Sequence, residues 1–243
     1  MLHFLFLGRK IRGGGNNVQC RDTACFDNGS DEMIMDKSVI ISCAGIGSRL
    51  GLGTTKALIE INGRSLISYQ LELFREVEDI RVVVGFQAGE VIAEVRKVRP
   101  DAVFVFNHNY FNTKTGASYY LGARHGNKYS IAVDGDLLIH PDDVQKILNT
   151  SGEWIAYADK ASEDGVYVRL NEKGEVVSFS RTDGDYEWTG PCALKRENVL
   201  NINGNVYNQL EPYLPMKGIK IRACDIDTHN DYVNALNFIN SWR

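Results

Sequence analysis

The chain has 243 residues, 44% hydrophobic and 24% charged, which suits an ordinary globular protein with one sizeable core and a small appended subdomain. Its formal net charge of −4 argues against nucleic acid as a partner, since non-specific binding there needs a basic surface, and no apolar run reaches membrane-spanning length. The five cysteines are odd in number and scattered, with no Cys-x-x-Cys. Neither a zinc site nor a disulfide framework is expected, and a reducing, cytoplasmic setting is the simplest reading.

Residues 1–36 do not read like the rest. A brief apolar start, Met1 to Leu7, is followed rather than preceded by basic residues, the reverse of a secretory signal. Gly13 to Asp36 is polar and without periodicity, so 1–36 is read as a disordered extension, with Met33 and Met35 as alternative starts of the domain at 37–243. Val39 to Ala44 is an apolar, β-branched run that predicts a buried strand. It breaks at Gly45, and Gly47, Gly51 and Gly53 follow within nine positions, with Arg49 and Lys56 in the same stretch. Glycines let backbone amides approach an anion. The loop Ala44, Gly45, Gly47, Ser48 with two cations is therefore a candidate polyphosphate cradle, although a plain glycine-rich turn with solvated cations shares part of the pattern.

Helical spacing follows from Ser65 to Glu76, a strand from Ile80 to Val84, a helix from Ala88 to Val98 and a third strand from Ala102 to Phe106. A helix over Ala117 to Arg124 and a strand from Tyr129 to Val133 complete the first part. This alternation predicts βαβ units, a Rossmann-like, mostly parallel sheet flanked by helices, with ligands at the carboxyl ends of its strands. From Trp154 the rhythm changes. Strand-like runs at Trp154 to Ala158, Gly165 to Leu170, Val176 to Arg181 and Tyr186 to Leu194, with a turn at Asn171 to Gly174, predict an antiparallel insert over about 153–195, placed as a lid on the mouth of the sheet. Glu197 to Leu210 reads as a helix, Gly218 to Ala223 as a last strand, and Thr228 as the cap of a final helix.

Two further stretches carry chemistry. Ser130 to Val133 runs straight into Asp134-Gly135-Asp136, two carboxylates at a strand end, the oxygen donors that Mg²⁺ takes together with substrate phosphates. A simple Asp-Gly turn would look the same locally. Cys224 to Tyr232 holds Asp225, Asp227 and Thr228 where a strand passes into a helix, a place where Asp227 and Thr228 also suit helix capping.

Taken together, Gly45-Ile46-Gly47-Ser48-Arg49-Leu50, Lys56-Ala57-Leu58 and Ile61-Asn62-Gly63-Arg64-Ser65-Leu66-Ile67 resemble the signature of the nucleotidyltransferases that join an NTP to a phosphorylated sugar or alcohol. The resemblance covers 37–243 with its motifs in the expected order. It implies that Asp136 and Asp227 hold Mg²⁺, that Asp134 contacts the nucleotide or supports the metal, and that Gln87, Gly116 and Ser118 border the nucleobase. The segment from Asn107 to Tyr120 is most similar to phosphocholine cytidylyltransferases, whereas the short Arg49 to Lys56 loop is nearer that of inositol-phosphate or methylerythritol-phosphate cytidylyltransferases. The implied reaction is transfer of a nucleotidyl group, CTP being the expected donor, to a phosphorylated small molecule with release of pyrophosphate. Arg49 and Lys56 are the expected catalytic cations, and Lys160, Arg181 and Trp188 on the insert the expected acceptor contacts. A sugar-1-phosphate acceptor, a metal-dependent glycosyltransferase and a non-catalytic nucleotide-binding domain are the rival readings.

Overall fold

The computed structural model describes residues 36–47, 53–161 and 165–242. Nine strands form one mixed sheet. Its first half is parallel, with β1 (Lys37–Cys43) between β4 (Asp79–Val84) and β6 (Tyr129–Asp134), and β5 (Val103–Phe106) outside β4. Strand β11 (Tyr186–Lys195) then runs antiparallel to β6 and to β8 (Trp154–Ala158). Beyond them lie β12 (Met216–Lys220), β10 (Glu175–Ser180) and β9 (Tyr167–Leu170).

β1 is buried along almost its whole length, with an apolar centre at Val39–Ile41, because both its faces are covered. Val39, Ile41 and Cys43 point to one face, where they pack with Ile67 and Leu71 of α1 (Leu66–Leu73), Val91 and Val95 of α2 (Ala88–Val98) and Val144 and Ile147 of α4 (Pro141–Leu148). Ile40 points to the other, against Tyr119 and Ala123 of α3 (Thr115–Ala123) and Val206 and Leu210 of α5 (Val206–Leu210). That alternation is the two-residue period of a strand. A third cluster seats α6 (His229–Asn240) through Ala235 on Ile59, Ile61, Leu138 and Ile226.

Several elements differ from the sequence reading. A two-residue hairpin, β2 (Glu60–Ile61) and β3 (Arg64–Ser65), turns at Asn62-Gly63, both at positive φ. The stretch read as one helix from Glu197 is a 3-10 turn, Arg196–Asn198, then a loop through Gly204, then α5. The last strand is two, β12 and β13 (Ala223–Asp225), and β13 pairs with a strand missed in the sequence, β7 (Leu137–Ile139), in a separate two-stranded ladder. The insert is continuous with the main sheet. Its β9–β10 hairpin extends the sheet edge beside β12, and β9 also pairs back onto the start of β11. Among the described residues no helix is long and apolar enough to cross a membrane.

Lys37 illustrates how the sheet is tied to its helices. It is 2% exposed, and its Nζ donates to the carbonyls of Leu148 and, at 2.9 Å, Thr150, at the end of α4. A cation at a helix C-terminus satisfies carbonyls that have no partner inside the helix. Lys37→Met keeps the aliphatic stem and loses these bonds. It is expected to lower the unfolding free energy by about 2 kcal/mol in urea titration, and a loss below about 0.5 kcal/mol would mean that the carbonyls find other donors.

Candidate active site

The site is assembled from three chain segments at the carboxyl ends of β1 and β6. The first follows β1. Gly47 is at φ +67, and a Cβ there would lie 3.0 Å from the Thr54 carbonyl and 3.2 Å from Cγ of Lys56, so the chain closes tightly on itself before a 3-10 turn at Lys56–Leu58. Gln87, itself left-handed at φ 50, anchors this return. Its Oε1 accepts from the Thr55 amide at 2.8 Å and from Thr54 Oγ1 at 3.1 Å. Lys56 is thereby aimed at the strand ends.

The second segment is the turn after β6. Gly135 donates its N–H to the Ser42 carbonyl at 3.0 Å, and a Cβ there would sit 2.7 Å from that oxygen and 2.9 Å from the Cys43 sulfur. Only glycine lets the turn pass so close to β1. Gln70 of α1, 1% exposed, pins the turn from the opposite side, its Nε2 donating to the carbonyls of Asp134 at 2.7 Å and Leu137 at 2.6 Å. The third segment is carried by the β7–β13 ladder, in which Leu137 stands opposite Asp225. Asp136, just before β7, and Asp227, two residues beyond β13, are thereby brought to the same end of the ladder.

Lys56 joins them. Its Nζ lies 2.7 Å from Asp136 Oδ2 and also donates to Asp227 Oδ1, with the three side chains 16%, 23% and 27% exposed. Burial alone would lower the pKa of Lys56, but the two carboxylates outweigh it and raise it. Helix capping, the competing role for Asp227, falls to its neighbours. Thr228 Oγ1 accepts from the Asp231 amide, and Asp231 Oδ2 accepts from Thr228 N at 2.7 Å, a reciprocal capping box. Asp134, beside Ser42 at the end of β6, is pushed up to about 7 by burial and then by the negative charge of Asp136.

Among the described residues no group of three or more His, Cys, Asp and Glu side chains is arranged to hold a metal ion. Two carboxylates that already share one cation nevertheless suit Mg²⁺, which takes one or two carboxylates and completes its shell with phosphate oxygens and water.

Other expected residues fall elsewhere. Ser48 and Arg49 lie outside the described residues. Ala44 closes the β1 end, its carbonyl accepting from Phe86 N at 3.1 Å, while a Cβ on Gly45 would meet open space. Gly116 and Ser118 are engaged within the protein. Gly116 donates to the Gly204 carbonyl at 2.9 Å and packs so tightly that a Cβ would lie 2.5 Å from it, and Ser118 Oγ accepts from Asn107 at 3.1 Å. Arg181 and Trp188 meet at one place, for the guanidinium lies 5.8 Å from the ring centre of Tyr207, and Trp188 stands edge-on to Phe179 at 5.9 Å and to Tyr207 at 5.8 Å. Lys160 sits apart, over Tyr167 at 5.2 Å.

Sequence reasoning passed over Gln70, Gly190 and Tyr207. Gln70 is a polar residue on the apolar stripe Leu66, Ile67, Leu71, and that break in pattern was its signal. Gly190, at φ +104, lies where a Cβ would be 2.9 Å from Asp134 Oδ2, so β11 also borders the carboxylates.

Residues 39–186 match the MobA-like NTP transferase domain family. Choline-phosphate cytidylyltransferase of Streptococcus pneumoniae is 35% identical over 174 residues, covering 64% of this chain and 72% of that one. The bifunctional protein GlmU of Aliarcobacter butzleri is 28% identical over 142 residues, 58% of this chain, which spans 33% of that relative's length. Among solved structures, the inositol-1-phosphate CTP transferase from T. maritima superposes with a TM-score of 0.75 at 15% identity, covering 86% of this chain and 96% of that one.

The raised pKa of Asp134 has a consequence for stability. An unfolded Asp titrates near 3.8 and the folded one at about 7. Between those values the folded state holds a proton that the unfolded state has lost, so stability falls as pH rises through this window and levels off above it. In metal-free buffer the melting temperature should therefore decline between about pH 5 and pH 7. Asp134→Asn, which has no proton to lose, should flatten that decline and be the more stable protein at pH 8. Parallel curves for the two proteins would show that Asp134 is not the group responsible.

Proposed function

Because the chain belongs to the MobA-like NTP transferase family, we propose that it transfers a cytidylyl group from CTP to a phosphorylated small alcohol or phosphonate, phosphocholine-like or inositol-phosphate-like, with release of pyrophosphate. The observation that carries this reading is the meeting of Lys56, Asp136 and Asp227 at the strand ends. An acceptor phosphate oxygen attacks the α-phosphorus of the nucleotide, the bond from that phosphorus to the β-phosphate oxygen breaks, and pyrophosphate leaves. A phosphate oxygen is already anionic, so no base is required, and catalysis reduces to positioning and neutralisation of charge.

Lys56 is the cation for the α-phosphate and the acceptor phosphate, and Arg49, a planar donor fork, the one for the leaving β- and γ-phosphates. The loop residues Ala44, Gly45, Gly47 and Ser48 are assigned to the nucleotide, and Gln87 acts on it through the loop it anchors. Asp136 and Asp227 would hold Mg²⁺, which when bound supplies positive charge to the nucleotide phosphates. The acceptor side is assigned to Arg181 and Trp188, with Lys160 at its margin. Two observations support this placement. Trp188 and Thr189 lead along β11 to Gly190 and so to Asp134. The buried Trp188 Nε1 and Thr189 Oγ1 have no hydrogen-bond partner among the described residues, which leaves polar groups for an acceptor to meet.

A screen of four NTPs against phosphorylated alcohols, sugars and phosphonates, read as pyrophosphate, tests the assignment. CTP with an alcohol phosphate should lead, and a preference for a sugar 1-phosphate with another NTP would replace this reading. With the best pair, Asp136→Ala and Asp227→Ala should abolish turnover. Lys56→Ala should lower kcat by about 10²–10³-fold. Arg49→Lys keeps the charge, loses the fork and should raise the KM for the nucleotide as well as slow the reaction. Rates within a few-fold of wild type for the Lys56 and Arg49 variants would defeat the assignment.

A further inference from the structure

The opposite ends of β6 and β11 carry a second concentration of positive charge. Two adjoining cavities, of about 380 and 190 Å³, share Arg196 as a wall. Lys128, Lys195 and Glu197 line the larger, and Arg124 and His125 the smaller. Four constant cations, Arg124, Lys128, Lys195 and Arg196, thus line the two cavities with one carboxylate, Glu197, in a chain of net charge −4, while a second carboxylate, Glu153, accepts from the Lys195 amide at 2.9 Å. Among the described residues none of the four stands in an ion pair.

The floor of the groove is equally suited to an anion. Its carbonyls, which would repel one, are taken up by donors. Arg81 donates to the carbonyls of Gly122 at 3.3 Å, Arg124 at 2.8 Å and His125 at 3.0 Å. Arg196 donates from Nη1 to the Gly126 carbonyl at 2.5 Å and from its backbone amide to the Lys128 carbonyl at 2.9 Å. One guanidinium nitrogen of Arg196 is so committed, which orients the fork and leaves its remaining N–H groups for a ligand.

We propose that this groove binds a small phosphate-type polyanion, at a site separate from that of the nucleotide. A fixed guanidinium flanked by two ammonium groups matches the several oxygens of a phosphate. The larger cavity has the volume of roughly a dozen liquid waters, room for a diphosphate rather than a single phosphate. Separation follows from the register, since Tyr129 pairs with Lys195 at this end while Asp134 and Gly190 stand at the other. Five residues of strand put the two sites about 17 Å apart.

Isothermal titration of the full chain with inorganic pyrophosphate, in EDTA and low salt, tests the proposal, with orthophosphate as the second titrant. Saturable binding is expected, tighter for pyrophosphate and weakened by added salt. Lys128→Ser combined with Lys195→Ser should weaken it at least about tenfold, leave nucleotidyl transfer unchanged and keep the wild-type melting temperature. Glu197→Gln, which removes the opposing charge that lines the cavity, should tighten binding by about two- to fivefold. Lys56→Ala, at the other end of the strands, should bind pyrophosphate as the wild type does. The proposal is overturned by the absence of saturable binding up to about 10 mM, by undiminished binding in the double variant, or by loss of binding in Lys56→Ala. Should the double variant melt early, Glu197→Gln decides alone, and unchanged affinity there overturns the proposal.

Discussion

One ammonium group held between two carboxylates is the constraint around which the functional end of the molecule is built. Lys56 is 80 residues from Asp136 and 171 from Asp227 along the chain, yet its Nζ reaches both. The triad carries one positive and two negative charges in a partly desolvated pocket, so it retains an excess of negative charge. A further positive charge nearby would offset that excess. Without the lysine the two carboxylates would face each other unscreened, and the ladder that aligns them would bear the repulsion.

Small features around the triad keep this arrangement in place. The β7–β13 ladder is only three residues long, but it brings Asp136 and Asp227 to the same end, where Lys56 joins them. Gln70 reaches across from α1 to hold the carbonyls on both sides of that turn, and Gly135 lets it press against β1. The capping box of Thr228 and Asp231 closes α6, and Asp231 Oδ2 also accepts from the Asp227 amide at 3.1 Å. Each of these contacts supports a side chain that would otherwise rotate freely at a strand end.

The parts legible in the sequence are those whose signal is local. The apolar run of β1, the amphipathic stripe of α2 and the Thr228 cap each depend on neighbours within a few residues. The Asp-Gly-Asp turn likewise has its signal in a handful of adjacent residues, and so stands out in the bare chain. Hidden features depend on partners distant in sequence. Three-residue strands such as β7 have no periodicity to detect, and the cap that Lys37 places on α4 spans more than a hundred residues. The stretch from Glu197 looks helical because its apolar spacing outweighs the break at Asn203-Gly204. Ser118 and Gly116 resemble ligand contacts, and the structure shows what their polar atoms and small size do within the protein, where α3 meets the loop before α5.

Strand β9 pairs with both β10 and the start of β11, so β11, β8, β12, β10 and β9 close on themselves as a ring. A ring of ladders resists shear, because sliding any one strand breaks backbone bonds on both of its sides. The aromatic and basic side chains above it therefore stand on a stiff base. Change of preference on this side of the molecule is then open chiefly to replacement of individual side chains, one at a time, on an unmoving frame. Among the described strands of the main sheet only β5 keeps a free edge, which confines any growth of that sheet to the flank away from the ring.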